Sequence, residues 1–145
     1  MAYVHIAHDC HVGSHTIFAN GASLAGHVLV EDHAILGGFT LVHQFCRIGP
    51  HCITAMGSAV PKDVPPFVTV AGNFAVPHGI NVEGLRRRGF DEEAIRELRR
   101  GYKIVYRQQL TLDKAKDALR PLAARSPHVA TLLDFLEHSR RGIVR

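Results

Sequence analysis

The sequence predicts a parallel β-helix, a solenoid built from six-residue repeats, followed by an α-helical domain. Three observations support this fold class: a strict six-residue period over the first sixty residues, a break in that period at Pro61, and three helix-start signals after residue 90. The chain has 145 residues, of which 46% are hydrophobic and 21% charged. That is enough for one packed domain with a small appendage.

Bulky apolar side chains recur every six residues. Nine of ten successive positions carry one, and Thr54 is the exception: Ile6, Val12, Phe18, Leu24, Val30, Leu36, Val42, Ile48, Thr54 and Val60. A small or β-branched residue stands two positions before each, which predicts a second inward-facing position. Gly or Ala often follows the apolar residue, where a sharply bending chain has little room. A spacing of six does not stay on one face of a 3.6-residue helix, so the pattern favours the solenoid.

Three six-residue sides make a coil of eighteen residues, so residues eighteen apart should be stacked neighbours. The predicted columns are His8, Gly26 and Gln44; Asp9, His27 and Phe45; and His15, His33 and His51. Cys10 and Cys46 share a column but lie two coils apart, roughly 10 Å at about 4.8 Å per coil, which is too far for a disulfide. We therefore expect all three cysteines to be reduced core residues.

Prolines end the repeat and helix caps follow. Pro61, Pro65 and Pro66 predict a loop-rich exit from 61 to 84, and we divide the chain into coils with their exit loop (1–80) and a helical domain (81–145). The expected N-caps are Asp91, Thr111 and Ser126. The expected apolar stripes are Ile95, Leu98, Tyr102 and Val105; Leu112, Ala115, Leu119 and Leu122; and Val129, Leu132, Leu133 and Leu136. These helices should cover the last open edge of the solenoid.

Composition narrows the functional classes. The net charge of +4 favours acidic partners, which include nucleic acid, phosphates and an acidic carrier protein, and charge alone does not choose among them. No run of about 18 apolar residues is present, and the N-terminus does not have the layout of a signal peptide. We therefore expect a cytoplasmic protein without integral membrane contact.

The pair His8 and Asp9 is the strongest candidate for catalysis. Asp9 can accept a proton from one imidazole nitrogen of His8, which leaves the other nitrogen free to deprotonate an alcohol. The next coil places Gly26 beside His8, so a groove and a backbone N–H are available for the oxyanion that forms when a thioester is attacked. No Ser or Cys lies beside the pair as a nucleophile, so direct transfer is preferred to a covalent intermediate.

The other histidines have simpler interpretations. We interpret the column His15, His33 and His51 as a partly exposed structural stack at a corner. His5, His8 and His11 form an HxxHxxH run, but in six-residue sides they point in different directions and do not converge on one ion. We therefore predict no metal site, with a zinc site between subunits as the less favoured alternative.

Three segments carry a close resemblance to a known family: HIAHDCHVG (5–13), AGHVLVEDHAILGGFTLVHQFCRIG (25–49), and DVPPFVTVAGN (63–73) followed by GINVEGLRRRGF (79–90). They resemble the UDP-N-acetylglucosamine 3-O-acyltransferase of lipid A biosynthesis, over essentially the whole chain. The resemblance implies a homotrimer of left-handed β-helices with active sites between subunits. It also implies transfer of a 3-hydroxyacyl group from acyl carrier protein to the sugar 3-hydroxyl, which is the first step of that pathway. It implies no cofactor beyond the donor's phosphopantetheine, and no nucleic acid partner.

The resemblance also assigns residues. It places the catalytic base on His8, the orienting carboxylate on Asp9 and the oxyanion amide on Gly26. The implied substrate-binding residues are His5, His27, His43, Gln44, Asn81, Glu83, Arg87 and Arg88. Six arginines are, in addition, our candidates for a surface that meets an acidic acyl carrier protein: Arg86, Arg87, Arg88, Arg96, Arg99 and Arg100. A solvated basic face is the simpler interpretation of any one of them.

Two departures from the family qualify these expectations. Family members begin with several more coils, so we expect the chain to correspond to the C-terminal portion, and inactivity of the isolated chain is consistent with the missing coils. Met56 stands where some relatives have glycine, which predicts a shortened acyl-chain groove and a preference for shorter hydroxyacyl donors. The alternatives are the N-acyltransferase of the same pathway, a metal-dependent β-helix hydratase, and a non-catalytic trimerising fragment.

Overall fold

The first sixty residues form the predicted solenoid. The computed structural model describes all 145 residues. Ten two-residue strands, β1 to β10, are His5–Ile6, His11–Val12, Ile17–Phe18, Ser23–Leu24, Leu29–Val30, Ile35–Leu36, Leu41–Val42, Arg47–Ile48, Ile53–Thr54 and Ala59–Val60. Strands β1 to β7 each pair in parallel with the strand eighteen residues further on, as Ile6 does with Leu24. The stride of eighteen is therefore confirmed, and the coils wind left-handedly as the resemblance implied.

The strands form three sheets that meet at three corners. The sheets are β1-β4-β7-β10, β2-β5-β8 and β3-β6-β9, the last of which two later strands extend. At each corner one residue takes a left-handed backbone conformation: Tyr3, Asp9, His15, Gly21, His27, His33, Phe39, Phe45, His51 and Gly57, with φ between 56° and 73°. This residue lies three positions after the bulky apolar residue. The bend therefore does not depend on the Gly or Ala that directly follows the apolar residue.

The glycines that directly follow the apolar residue serve close packing between coils. A Cβ on Gly37 would lie 2.6 Å from the carbonyl oxygen of Thr54 in the next coil, and a Cβ on Gly49 would lie 2.5 Å from the nitrogen of Pro66. Neither glycine has a positive φ. The requirement at these positions is therefore steric, because the backbone of the next coil occupies the space.

The interior of the solenoid alternates large and small side chains, as predicted. Leu24, Val30, Leu36, Val42 and Ile48 are buried. The small positions are buried too, namely Ala22, Val28, Ala34, Thr40, Cys46, Cys52 and Ser58. All three cysteines are free thiols, with Cys10 only partly buried. In the first coil the apolar residues are more exposed, because no coil of this chain packs below them.

The exit from the solenoid differs from the predicted loop. Val68–Gly72 forms β11, which pairs in parallel with β9, and Ala75–Ile80 forms β12, which pairs antiparallel with β11. All three prolines precede the first residue of β11, so they do not interrupt its hydrogen bonds. Pro77 lies in β12, where the missing N–H is tolerated because β12 is the edge strand of the sheet.

Four helices complete the chain. They are α1 (Val82–Arg87), α2 (Glu92–Tyr106), α3 (Leu112–Ala123) and α4 (Pro127–His138). The predicted caps are confirmed: the side chains of Asp91, Thr111 and Ser126 accept hydrogen bonds from N–H groups in the first turns of α2, α3 and α4. The sequence did not predict α1. None of the helices has the length and apolar character needed to span a membrane.

The helices form a second core that is joined to the solenoid. Thirteen buried residues make this core, among them Leu85, Ile95, Leu119 and Phe135. The junction includes Asp63, a buried residue whose side chain accepts hydrogen bonds from the Arg47 backbone N–H and the Ser139 hydroxyl. Burial raises the pKa of the Asp63 carboxyl, and these donors oppose that effect. The C-terminal segment is thereby fixed to the last coil.

Candidate active site

His8 and Asp9 form a hydrogen-bonded pair at an exposed corner. The left-handed backbone of Asp9, with φ of 59°, turns its carboxylate back towards the preceding imidazole. His8 Nδ1 lies 2.9 Å from Asp9 Oδ2. The hydrogen bond from His8 and the nearby charge of His27 lower the pKa of the Asp9 carboxyl. An ionised carboxylate only accepts hydrogen bonds, so His8 Nδ1 carries the proton and His8 Nε2 is left as a free base.

His27 is the third member of this corner. Its Nε2 lies 3.8 Å from the same Asp9 oxygen, and its ring meets the His8 ring edge-on at 5.1 Å between centroids. On its other side the His27 ring stacks on Phe45 at 4.7 Å, with 9° between the planes. The orientation of the His27 ring is therefore fixed by an aromatic neighbour that sequence reasoning had only placed in the same column. The stride of eighteen was the available signal for this contact.

Gly26 lies directly against the His8 ring. A Cβ at Gly26 would lie 2.7 Å from Cε1 and 2.8 Å from Nε2 of His8, so the imidazole occupies the space that a side chain would need. Gly26 is buried, and its N–H donates to no acceptor in the chain. The corner positions Ala2 and Ser14 differ, because the side chains of Asn20 and Asp32 in the next coil accept their N–H groups. The Gly26 N–H is a free donor beside the base.

The same edge of the solenoid carries three further predicted residues. His5 is exposed on β1 and His43 is exposed directly after β7, in the sheet that ends at the His8 corner. Gln44 stands at the corner position one coil beyond Gly26, and its carbonyl oxygen is 3.2 Å from His43 Nδ1. These side chains are open to solvent and available to a ligand.

The predicted residues of α1 lie at a different corner. The Asn81 side-chain amide donates to the His51 carbonyl oxygen at 3.2 Å and also caps α1, while Arg88 Nη1 lies 3.4 Å from His51 Nδ1. Glu83 pairs with Arg86 at 3.2 Å. His51 stands at the corner after that of His8. Within one chain the structure therefore separates the eleven predicted catalytic and substrate-binding residues into two groups and does not bring them into one cleft.

The column His15, His33 and His51 forms the predicted stack. Its ring centroids are 4.9 Å and 4.7 Å apart, with planes within 12° of parallel, and Phe67 continues the stack at 5.7 Å. Burial, and then the positive charge of Arg88, lower the pKa of His51 to about 4. His51 is therefore neutral at pH 7 and suited to accept a hydrogen bond from Arg88.

Met56 and the predicted basic surface lie at other places on the chain. Met56 precedes Gly57 at the third corner and is 83% exposed. Among the six arginines, Arg86 is engaged by Glu83 and by Glu92, whose carboxylate lies 2.8 Å away. Arg87, Arg96, Arg99 and Arg100 form no ion pair, so they are the cations of this surface that remain available.

The coil and the corner together define a class of protein. This is a left-handed β-helix of six-residue repeats, closed by helices, which carries a histidine base oriented by a carboxylate beside a free backbone amide. The family profile described as "Udp N-acetylglucosamine O-acyltransferase; Domain 2" matches residues 63–144. The chain belongs to the UDP-N-acetylglucosamine O-acyltransferase family.

Relatives and solved structures agree with this assignment. The acyl-[acyl-carrier-protein]--UDP-N-acetylglucosamine O-acyltransferase of Thiobacillus denitrificans is 60% identical over 145 residues, which cover all of this chain and 56% of that protein. The same-named protein of a Janthinobacterium species is 59% identical and is covered to 57%. The UDP-N-acetylglucosamine acyltransferase structure from Francisella novicida superposes with a TM-score of 0.97 at 43% identity, covering all of this chain and 53% of that one. The Acinetobacter baumannii structure gives 0.95 at 45% identity, covering 98% of this chain and 55% of that one. The chain thus spans about half the length of these relatives.

Proposed function

We propose that the protein carrying this chain transfers a 3-hydroxyacyl group from acyl carrier protein to the 3-hydroxyl of UDP-N-acetylglucosamine, the first step of lipid A biosynthesis. The observation that carries the proposal is the corner at which His8 is oriented by Asp9 and lies against the free N–H of Gly26. The relatives support the choice of donor and acceptor, because their name describes O-acylation of UDP-N-acetylglucosamine from an acyl carrier protein.

The chemistry at this corner is a direct acyl transfer. His8 Nε2 takes the proton of the sugar hydroxyl as its oxygen attacks the thioester carbonyl carbon. The carbonyl oxygen becomes negative, and the Gly26 N–H donates a hydrogen bond to it. The carbon–sulfur bond then breaks, the thiol leaves with the proton held by His8, and the ester remains on the sugar. Asp9 stabilises the imidazolium that forms in between. This route uses groups of the chain and the donor's own phosphopantetheine, with no resident metal or other cofactor.

A homotrimer would unite the two separated groups of residues. Asn81, Glu83, Arg87 and Arg88 lie one corner away from His8 in the same chain. Subunits packed side by side around a threefold axis bring different corners of neighbouring copies together. We therefore propose that the α1 group of one subunit holds the nucleotide sugar against the His8 corner of the next subunit, and that His5, His27, His43 and Gln44 complete this cleft.

We propose that the unpaired cations form the docking face for the donor. Arg96, Arg99 and Arg100 lie on α2 and form no ion pair, and Arg87 lies on α1. An acidic carrier protein is attracted to such a face, and the attraction weakens as salt rises. Nucleic acid is not proposed as a partner. We propose a cytoplasmic location, which the three free thiols support because disulfides are rare there.

The test of the proposed function is the replacement of His8 in the full-length protein. His8→Ala should lower kcat by roughly 10²-fold to 10⁴-fold, the usual contribution of a general base. His15→Ala is the matched control, because His15 is also an exposed corner histidine but lies in the stack. Mass spectrometry of the product should show an ester of the sugar hydroxyl. Full activity of His8→Ala would refute the role of His8, and an amide product would favour the N-acyltransferase alternative.

A further inference from the structure

The His8 corner has the donor set of a metal site as well as that of a base. One ligand atom from each of His8, Asp9 and His27 lies within 4.8 Å of the other two. Asp9 Oδ2 is common to both contacts, 2.9 Å from His8 Nδ1 and 3.8 Å from His27 Nε2. All three residues are exposed, so an ion reaches them without opening the fold.

We propose that these three residues bind one Zn²⁺ ion and that this ion inhibits the enzyme. Zn²⁺ prefers imidazole nitrogen and carboxylate oxygen at about 2.0–2.2 Å in a tetrahedral arrangement, and a site with three protein ligands leaves the fourth position to water. Ligand atoms of such a site lie about 3.3 Å apart by that geometry. The two contacts of Asp9 Oδ2, at 2.9 Å and 3.8 Å, bracket this spacing, and all three ligand atoms lie within 4.8 Å of one another.

The inhibition follows from the proton on His8. In the proposed function His8 Nδ1 carries the proton and Nε2 is the base. An ion between Asp9 and His8 takes the place of the Nδ1 proton, and the proton moves to Nε2 within the same ring. A neutral imidazole with its proton on Nε2 cannot accept another from the sugar hydroxyl. Zn²⁺ thus removes the base without occupying the space beside Gly26.

Neighbouring contacts and backbone conformation fix the geometry of this cluster and distinguish it from the other histidines. His27 is stacked on Phe45, and both His27 and Asp9 have fixed left-handed corner conformations, with φ of 60° and 59°. Rings in the column of His15 and His33 are stacked nearly parallel at 4.9 Å. Ring nitrogens carry their lone pairs in the ring plane, so face-to-face imidazoles do not direct them at one ion. Although the chain is rich in histidine, the His8 corner is therefore its one candidate metal site, and we do not expect a general affinity of its histidines for metal ions.

Binding is tested on the protein without any activity measurement. Titration of the full-length protein with ZnCl₂, followed by calorimetry, should show one site per subunit that His27→Gln weakens by at least about tenfold, the scale on which altered metal sites lose affinity. Titration with CoCl₂ should give the intense visible absorption of four-coordinate Co²⁺. His15→Gln is the matched control, since His15 has the same corner conformation, with φ of 57°, and a stacked ring. Equal loss in both variants, or no loss in either, would overturn the site.

Inhibition is tested separately and rests on the proposed function. Zn²⁺ should lower kcat reversibly in the wild-type enzyme and in His15→Gln, and EDTA should restore the activity. In His27→Gln, at least about tenfold more Zn²⁺ should be needed for the same inhibition, measured against that variant's own activity. If Zn²⁺ binds this corner and increases turnover, the inhibitory role is wrong. If the metal-free enzyme has no acyltransferase activity, the proposed function fails while the binding data still decide the site.

Discussion

The ring of His8 occupies the place that a side chain at Gly26 would take, since a Cβ there would lie 2.8 Å from His8 Nε2. Because the two residues are eighteen positions apart, the contact exists only through the stacking of coils. It brings the proposed base and the free N–H of Gly26 to the same point.

Gly26→Ala should therefore impair catalysis without unfolding the solenoid. Gly26 has no positive φ, so alanine is compatible with its backbone, but the new methyl group must displace the His8 ring. We expect kcat to fall by at least about 10²-fold, the scale for a catalytic group displaced by about 1 Å, with an unchanged circular dichroism spectrum. Gly38→Ala is the control at the equivalent position of another corner, where the new Cβ would meet only the Asn20 carbonyl oxygen at 3.5 Å. Near-normal turnover in Gly26→Ala would contradict the proposed arrangement.

We predict that the side chain of Met56 limits the length of the acyl chain that is transferred. Met56 is 83% exposed at the corner before Gly57, so it is free to lie in the proposed groove between subunits. Met56→Gly should shift the preference towards longer hydroxyacyl donors, because it removes the side chain that would close the groove. Competition between donors of two lengths in one reaction measures the ratio directly. If the wild-type protein uses both at equal rates, or prefers the longer, Met56 does not limit the groove.

The solenoid was predictable from sequence because its signal is local and repeated. Each coil imposes the same spacing on Leu24, Val42 and Val60, and the stride of eighteen follows from it. That stride also placed His8 beside Gly26. The helices α2, α3 and α4 were predictable because each begins with a capping side chain and continues with an apolar stripe.

The parts that sequence reasoning missed depend on contacts between distant segments. The strand β11 was hidden by the prolines before it, and its pairing with β9 becomes apparent only when the last coil is in place. The six residues of α1 are too few for a periodic signal, and Asn81, which caps the helix, also bonds to His51. The engagement of Arg86 by Glu92 depends on how α1 meets α2. Which corner carries α1 depends on the path of the exit hairpin.

A buried hydroxyl pair inside the solenoid predicts a coupled effect on stability. Thr54 Oγ1 lies 2.8 Å from Thr40 Oγ1, and both side chains are fully buried. Thr54→Val should lower the free energy of unfolding by about 1–3 kcal/mol, because the Thr40 hydroxyl loses its partner in an apolar interior. Adding Thr40→Val should recover part of this loss, since no unpaired hydroxyl remains. Urea unfolding of the two single variants and the double variant measures the coupling, and strict additivity would contradict it.

The lowered pKa of His51 predicts how the stability of the fold depends on pH. Burial and the positive charge of Arg88 lower its pKa to about 4, from 6.5 when unfolded, and His33 and His128 act in the same direction while Asp32 opposes them. Between these values the unfolded chain binds the proton and the folded chain does not. The free energy of unfolding contributed by His51 is therefore fully present above pH 6.5 and decreases as the pH falls towards 4.

The contribution at stake is at most about 3.5 kcal/mol, from about 1.4 kcal/mol per pKa unit, and solvent at the exposed edge of the ring reduces it. His51→Phe should flatten this part of the pH profile. Phenylalanine does not titrate and keeps the stacking, and Phe39, Phe45 and Phe67 already adopt the same left-handed corner conformation, with φ of 56° to 70°. Urea unfolding midpoints at several pH values between 4 and 7.5 measure the slope, with His15→Phe as the control for removing a histidine from the same stack. The substitution His51→Phe removes one titrating group between pH 4 and 6.5, namely the His51 imidazole that its surroundings hold neutral. If the slope of His51→Phe equals that of the wild type, the acid sensitivity of the fold therefore comes from other groups.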